Sequence, residues 1–277
     1  MRVKAAVVIM GLCVAGAAAA QEGEPAAPLP GYALAWADEF NVDGLPDRSK
    51  WVYDTHANRT GWYNDELQYY SPERAENARV EDGRLLIEAR RERLESAPDF
   101  GGQNYTSSRM VIQGVADWTY GMFEARMKLP CGRGAWPAFW MLPTSGDWPG
   151  GGEIDVMEHV GHEPDQIYAS LHTLTFNHAV GTGRTGQTTI ADACEAFHTY
   201  QVEWTPELIR FFVDGAPYYE VANDQPGGRD AWPFDAPFYL ILNVAVGGTW
   251  GGAQGVDETI WPRRLEVDWV RVWQRDE

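Results

Sequence analysis

The sequence predicts an all-β domain, built as an antiparallel two-sheet sandwich or jelly roll. Three observations predict it. Apolar and polar residues alternate at period two along several segments, while helical periodicity is nearly absent. Gly, Pro, Asn and Asp punctuate those segments. The chain has 277 residues and, past its first thirty or so, no linker, repeat or low-complexity block, which suits one large β domain.

The elements follow in order. In residues 120–129, Phe123, Ala125, Met127 and Leu129 alternate with Glu124, Arg126 and Lys128, the pattern of a strand with one apolar face. Residues 152–158 read Gly-Glu-Ile-Asp-Val-Met-Glu inside an otherwise apolar run. In residues 207–215, Ile209, Phe211 and Val213 alternate, and Asp214-Gly215 then turns the chain back into Tyr218-Tyr219, a strong hairpin signal. Residues 238–246 are nearly all apolar, so that strand is expected to be covered on both faces. Residues 265–272 alternate and put Asp268 on the face of Val270 and Val272, an odd place for a lone acid. Two packed sheets curve, and long side chains on the concave face converge at their tips.

Residues 1–20 read as an export signal. Arg2 and Lys4 precede an apolar run, and Ala18-Ala19-Ala20 offers a small-residue cleavage site. The apolar run is too short for a comfortable membrane span. Residues 21–31, rich in Pro and Ala, read as a tether, leaving residues 32–277 as the folded domain. Cleavage after Ala20 removes two basic residues and no acid, taking the net charge from −18 to −20. Such a surface repels nucleic acid and anionic membranes and favours a neutral ligand. Localisation is expected to be secreted or periplasmic, with no membrane attachment after cleavage. Cys131 and Cys194 remain in the mature chain and are expected to pair in an oxidising compartment; two separate buried thiols is the alternative.

The chemistry centres on Glu153, Asp155 and Glu158. In a strand Glu153 and Asp155 share a face, and strict alternation turns Glu158 away. One extra residue, a β-bulge, would bring Glu158 back beside them. Clustered carboxylates repel one another, so a purely structural role is costly; a solvated edge strand is the bland alternative. Two carboxyls with different proton affinities are what glycoside hydrolysis needs, and a concave sheet could hold Glu153 and Glu158 at the roughly 5–5.5 Å of a retaining enzyme. The 13 Trp residues suit a sugar cleft, because indole faces stack on pyranose rings. Each alone is more often core. Trp62, Trp136, Trp140 and Trp250, beside polar or Gly-rich segments, are the better binding candidates.

These motifs occur in a diagnostic order: Trp-Ala-Asp-Glu-Phe at 36–40, Asn-Asp-Glu-Leu-Gln-Tyr-Tyr at 64–70 and Tyr-Thr-Ser-Ser-Arg-Met at 105–110. Tyr-Gly-Met-Phe-Glu-Ala-Arg follows at 120–126, then Gly-Ala-Trp-Pro-Ala-Phe-Trp-Met-Leu-Pro at 134–143 and the acidic motif at 152–158. Phe-His-Thr-Tyr at 197–200, Asn-Val-Ala-Val-Gly-Gly-Thr-Trp at 243–250 and Val-Asp-Trp-Val-Arg at 267–271 complete the set. From about Trp36 to Trp273 the chain resembles glycoside hydrolase family 16, and within it the bacterial laminarinase (endo-1,3-β-glucanase) branch. The resemblance implies a concanavalin A-like β-jelly roll with an open cleft on its concave face. It implies Glu153 as nucleophile, Glu158 as general acid/base and Asp155 as their electrostatic helper. The spacing Glu-x-Asp-x-x-Glu looks like the laminarinase side; lichenase relatives resemble Glu-x-Asp-x-Glu.

The resemblance further implies sugar contacts at Asn64, Glu66, Arg109, Trp136, Trp140 and His172. For Arg109 the alternative is a surface strand cation, for His172 a satisfied core histidine. It implies no cofactor for catalysis, but a structural calcium ion held by Asp268 and the backbone carbonyls of Glu39 and Gly83. An Asp268 paired with a neighbouring Arg is the alternative there. The expected partner is a β-glucan polysaccharide substrate, and the protein is expected to be a monomer. Mixed-linkage β-glucan or a galactan stays open as substrate, as does a non-catalytic β-glucan-binding role, though such proteins lack one or both catalytic Glu residues. Residues 175–196 depart from the family pattern and are expected to border the cleft. His159 and His162 invite a zinc reading, but they lack the His-Glu-x-x-His spacing, and a loop role is expected.

Overall fold

The computed structural model describes residues 27–276. The predicted export signal and most of the tether lie outside the described residues. Among the described residues, seventeen strands and three single turns of 3-10 helix make up the fold. The first half contributes β1 (Tyr32–Asp38), β2 (Val52–Tyr53), β3 (Gln68–Tyr70), β4 (Ala78–Glu81), β5 (Arg84–Ala89), β6 (Tyr105–Ser107), β7 (Arg109–Val111), β8 (Gly121–Lys128) and β9 (Ala135–Pro143). The second half contributes β10 (Glu153–Glu158), β11 (Gln166–His172), β12 (Arg184–Thr189), β13 (His198–Trp204), β14 (Leu208–Val213), β15 (Ala216–Ala222), β16 (Phe238–Val246) and β17 (Arg263–Arg275).

Two antiparallel sheets face each other. One runs β15-β14-β13-β8-β17-β5-β4, with β1 added beside β17; the other runs β12-β11-β10-β9-β16-β7-β2. Between them lies one core, to which β8 gives Phe123, Ala125 and Met127 and β10 gives Ile154 and Val156. The predicted alternation in β8 is therefore the core face, and the predicted hairpin joins β14 to β15 through Asp214 and Gly215, both at positive φ. All nine residues of β16 are buried, because the strand sits inside its sheet with the core on one side and the cleft floor on the other.

Two expectations are corrected. The last residues of the supposed tether are not loose: Ala27 and Leu29 pack against Tyr32, Met122, Phe212 and Trp273. Asp268 does not share a face with Val270 and Val272. The pairing of β17 with β8 slips between Val267 and Trp269, and this bulge reverses the alternation, leaving Asp268 partly exposed while Val267, Val270 and Val272 are buried.

The strand carrying the acids is held at both ends by close contacts at glycines, against side chains at Gly152 and against backbone at Gly161. At Gly152 an added Cβ would stand 2.9 Å from Pro233 Cγ. At Gly161, three residues past Glu158, it would run into the carbonyl of Gly132 and stand 2.7 Å from the Gly132 nitrogen. That approach is locked by Gly132 N donating to Gly161 O at 2.9 Å and Gly161 N donating to Ala135 O at 2.8 Å. Rigid backbone cannot yield as a side chain can, so Gly161→Ala should cost about 2 kcal/mol or more, in the range of overpacked cores. Thermal unfolding should show a melting temperature lowered by several degrees; an unchanged value would mean the two loops are free to part.

Candidate active site

β10 places its residues by parity, then breaks it. Ile154 and Val156 point into the core, so Glu153 and Asp155 project from the opposite face. Asp155 is level with Trp140 of β9, but Met157 is level with Phe139, so β10 gains one residue over its neighbour. The pairing with β11 slips at the same point, between Asp155 and Glu158. This is the bulge expected from the sequence. It returns Glu158 to the face of the other two acids, and all three line one cavity of about 350 Å³.

Most of the remaining wall comes from four places. β9 supplies Trp136 and Trp140, β7 supplies Arg109, and β16 supplies Asn243 and Ala245. The loop before β3 supplies Tyr63, Asn64 and Glu66, with Asn64 and Asp65 at φ of 56° and 57°. This loop is stitched to the end of β16: Leu67 N donates to Val246 O at 2.9 Å and Thr249 N to Asn64 O at 2.7 Å.

Hydrogen bonds hold each wall group in place. Trp136 Nε1 donates to Glu158 Oε1 at 3.2 Å. Trp140 Nε1 donates to Asn243 Oδ1 at 2.7 Å, and Asn243 Nδ2 donates to Tyr70 Oη at 3.0 Å. Gln68 Nε2 donates to Glu66 Oε2 at 2.8 Å. Arg109 is buried; its Nε lies 2.9 Å from Asp54 Oδ2 and its guanidinium lies between the rings of Trp140 and Trp62, 4.7 and 5.3 Å from their centroids. It is thus no surface cation.

Three sequence candidates do not line the cavity. His172 lies behind the acids, its Nε2 3.3 Å from Asp155 Oδ2 and 4.0 Å from Glu153 Oε1. Trp250 backs the wall, edge-on to Trp136 at 5.6 Å and to Tyr168 at 4.9 Å. Trp62 is buried beneath Arg109. Conversely, Tyr63, Leu142, Trp148, His178 and Asn243 line the cavity without having been singled out. Trp148 is 44% exposed and its ring lies 5.3 Å from His178, which in turn meets His172 edge-on at 5.0 Å. His178 belongs to the region 175–196, so that region does border the cleft. A Trp four residues before a Gly-Glu motif was the only available sequence signal for Trp148; His178 had none.

Burial and mutual repulsion push the three carboxyls up. Desolvation is the leading cause for each, followed by the charge of a neighbouring acid. Glu153 and Asp155 move well above the usual carboxyl range, and Glu158 rises to about 7. His172 opposes the rise at Glu153 and Glu158, and the Trp136 donor opposes it at Glu158. The cluster titrates as a unit.

Outside the cavity, Cys131 and Cys194 form a disulfide with a Cα–Cα distance of 5.8 Å. His159, buried beside it, is pushed down by desolvation and stays neutral at pH 7. The Asp268 carboxylate pairs with Arg126, and that of Glu39 pairs with Arg271. The pairing of β17 with β5 ends at Val267–Leu85 and its pairing with β1 ends at Val270–Asp38. Glu39 and Gly83 therefore both come level with the β17 bulge.

Residues 65–271 match the model of glycosyl hydrolases family 16. A β-glucanase of Rhodothermus marinus is 51% identical over 254 residues, covering 88% of this chain and 86% of that one. The chain belongs to glycosyl hydrolases family 16. Among solved structures, a non-specific endo-β-1,3(4)-glucanase of the family matches with TM-score 0.88 and 53% identity, covering 91% of this chain and 95% of the other. The Rhodothermus marinus laminarinase matches with TM-score 0.84 and 51% identity, covering 89% and 98%. The two-sheet jelly roll and the hydrolase class are thereby shown.

A raised pKa makes stability depend on pH in a defined direction. Glu158 moves from 4.5 to about 7 on folding. Its protonated form therefore stabilises the fold fully below 4.5, and this contribution is lost as pH rises through 7. Glu158→Gln is neutral at every pH. It should be more stable than the parent at pH 8, by at most on the order of 3 kcal/mol, and the gain should vanish near pH 4. Melting curves across that range check this; a pH-independent difference would show that Glu158 is not the group titrating.

Proposed function

We propose that this chain is a retaining endo-β-1,3-glucanase acting on laminarin-type glucans. The observation carrying the reading is the bulge in β10, which gathers Glu153, Asp155 and Glu158 on one face of a Trp-lined cavity. Glu153 is the nucleophile. Its carboxylate attacks the anomeric carbon, and a glycosyl-enzyme ester forms as the glycosidic bond breaks. Glu158, protonated below about 7, gives its proton to the departing sugar oxygen. It then takes a proton from water, which displaces Glu153. Trp136 orients Glu158 through the indole N–H, and Asn243 orients Trp140 for stacking on a pyranose. The relatives support the substrate class. The endo-β-1,3(4)-glucanase structure has a counterpart complex holding 1,3-β-D-cellobiosyl-glucose at its active site. That relative's β-1,3(4) specificity also keeps mixed-linkage glucan as a second substrate. Digesting laminarin, lichenan and agarose and sizing the products tests this: laminarin should give internal-cleavage oligomers, and degradation of agarose alone would overturn it.

The two Glu residues should fail differently. Glu153→Ala cannot form the ester, so azide attacks from the opposite face and gives an α-glycosyl azide on an activated donor. Glu158→Ala still forms the ester with an activated aryl glycoside, and azide releases a β-glycosyl azide with net retention. NMR of the products decides, and an α-anomer released first by the unaltered enzyme would sink the assignment.

We further propose a calcium ion at the β17 bulge, held by Asp268 and the carbonyls of Glu39 and Gly83, in an exported monomer. The backbone convergence there supports it; the Arg126–Asp268 pair must open for the ion to bind. An ion that binds only the folded state raises the melting temperature. Chelation should lower that temperature while leaving activity at low temperature intact, and Arg126→Gln should enlarge the calcium effect. No shift in either protein would remove the site.

A further inference from the structure

One cluster of metal-ligating side chains lies outside the cleft and plays no part in the proposed hydrolysis. Cys131 follows β8, Cys194 precedes β13, and His159 directly follows Glu158. Their ligand atoms all lie within 4.8 Å of one another. His159 Nε2 is 3.6 Å from the Cys131 sulfur and 3.9 Å from that of Cys194.

The ring is already set as a ligand. His159 Nδ1 lies 2.9 Å from the carbonyl oxygen of Gln166. A carbonyl only accepts, so Nδ1 carries the proton and donates it, and in the neutral ring Nε2 presents a lone pair. That lone pair points at two sulfurs that, bonded to each other, have no proton to offer it. A backbone carbonyl fixing the tautomer of a ligating imidazole is the usual outer support of a zinc-bound His. His159 is 0% exposed, so no solvent competes for the lone pair.

The distances suit a shared ion. Zinc sits about 2.3 Å from a thiolate and about 2.05 Å from an imidazole nitrogen, which at the tetrahedral angle separates sulfur from nitrogen by about 3.6 Å. Both nitrogen–sulfur distances are already close to that. Only the sulfurs must part, to about 3.8 Å. The Pro164 carbonyl oxygen, 3.9 and 3.5 Å from the two sulfurs, stands beside the fourth position.

We infer that the dithiol form of this chain holds a zinc ion between Cys131, Cys194 and His159. A phosphine and one water reduce the disulfide to two thiols and leave a phosphine oxide. Zn²⁺ then displaces the two thiol protons, and two thiolates with a neutral imidazole balance its charge. The ion restores the cross-link between the β8–β9 and β12–β13 connections whenever the surroundings are reducing.

Cobalt(II) is the probe. The protein is reduced with a phosphine, desalted without oxygen, checked for two free thiols and an unchanged circular dichroism spectrum, and titrated. One cobalt per chain should bind, with sulfur-to-metal charge-transfer absorption and the ligand-field bands of a tetrahedral site, and zinc should displace it. The unreduced protein should show none of these. His159→Gln should weaken binding at least tenfold, and Cys131→Ser/Cys194→Ser should abolish the charge-transfer band. Cobalt at Glu153, Asp155 and His172, which also lie close together, would lack that band and cannot mimic the result. A folded dithiol protein without the band overturns the inference. If reduction alone unfolds the chain, zinc present during reduction must preserve the fold; failure to do so overturns it equally.

Discussion

A single inserted residue in β10 is the constraint on which the site depends. Without the slip between Asp155 and Met157, Glu158 would turn to the core face that carries Ile154 and Val156. An ionised carboxyl there would have no partner and would be expelled or neutralised. With the slip, the same six residues present a core face and a reactive face. The bulge is tolerated because β10 lies in the middle of its sheet: pairing to β9 and β11 resumes on both sides of it. The glycine contacts at Gly152 and Gly161 then stop the strand from sliding to a different register.

The rest of the cavity answers the cost of that arrangement. Three buried acids raise one another's proton affinity, so they need polar partners. The His172 ring and the Trp136 indole N–H face them without crowding the space where a sugar would lie. Arg109 adds a positive charge at the far wall, but Asp54 neutralises it and two indoles hold it flat. The cleft therefore keeps its local charges balanced while the chain as a whole carries −18. That suits a neutral polymer better than a sulfated one.

Much of this was legible in the sequence, because β patterns are local where one face is buried. The core face of β8, the turn at Asp214-Gly215, the enclosure of β16 and the bulge in β10 could all be read from alternation and its interruption. The second bulge, at Val267–Trp269, could not. Alternation appears unbroken there, and only the pairing partners reveal the slip. Cleft-lining residues on loops were also hidden. Tyr63 and His178 occupy their places through ring contacts with His56, Trp148 and His172, which leave no periodic trace. His172 and Trp250 were placed one layer too far forward, since sequence marks proximity to the acids but not which atoms stand between them and solvent. Cys131 and Cys194 were paired by compartment and number, whereas the buried His159 facing them emerges only in three dimensions.

The exposed ring of Trp148 and the half-turn carrying His178 contrast with the pinned ends of β10. The bond-breaking groups sit on a strand whose ends are pinned by close packing, whereas these two rim residues are exposed to solvent on neighbouring loops. Changes at the rim can thus accumulate without disturbing the carboxyl geometry. A lineage with this architecture can drift between polysaccharides by exchanging its rim while inheriting its chemistry intact, and a designer seeking a new linkage preference would leave β10 alone and vary residues 144–150 and 174–183.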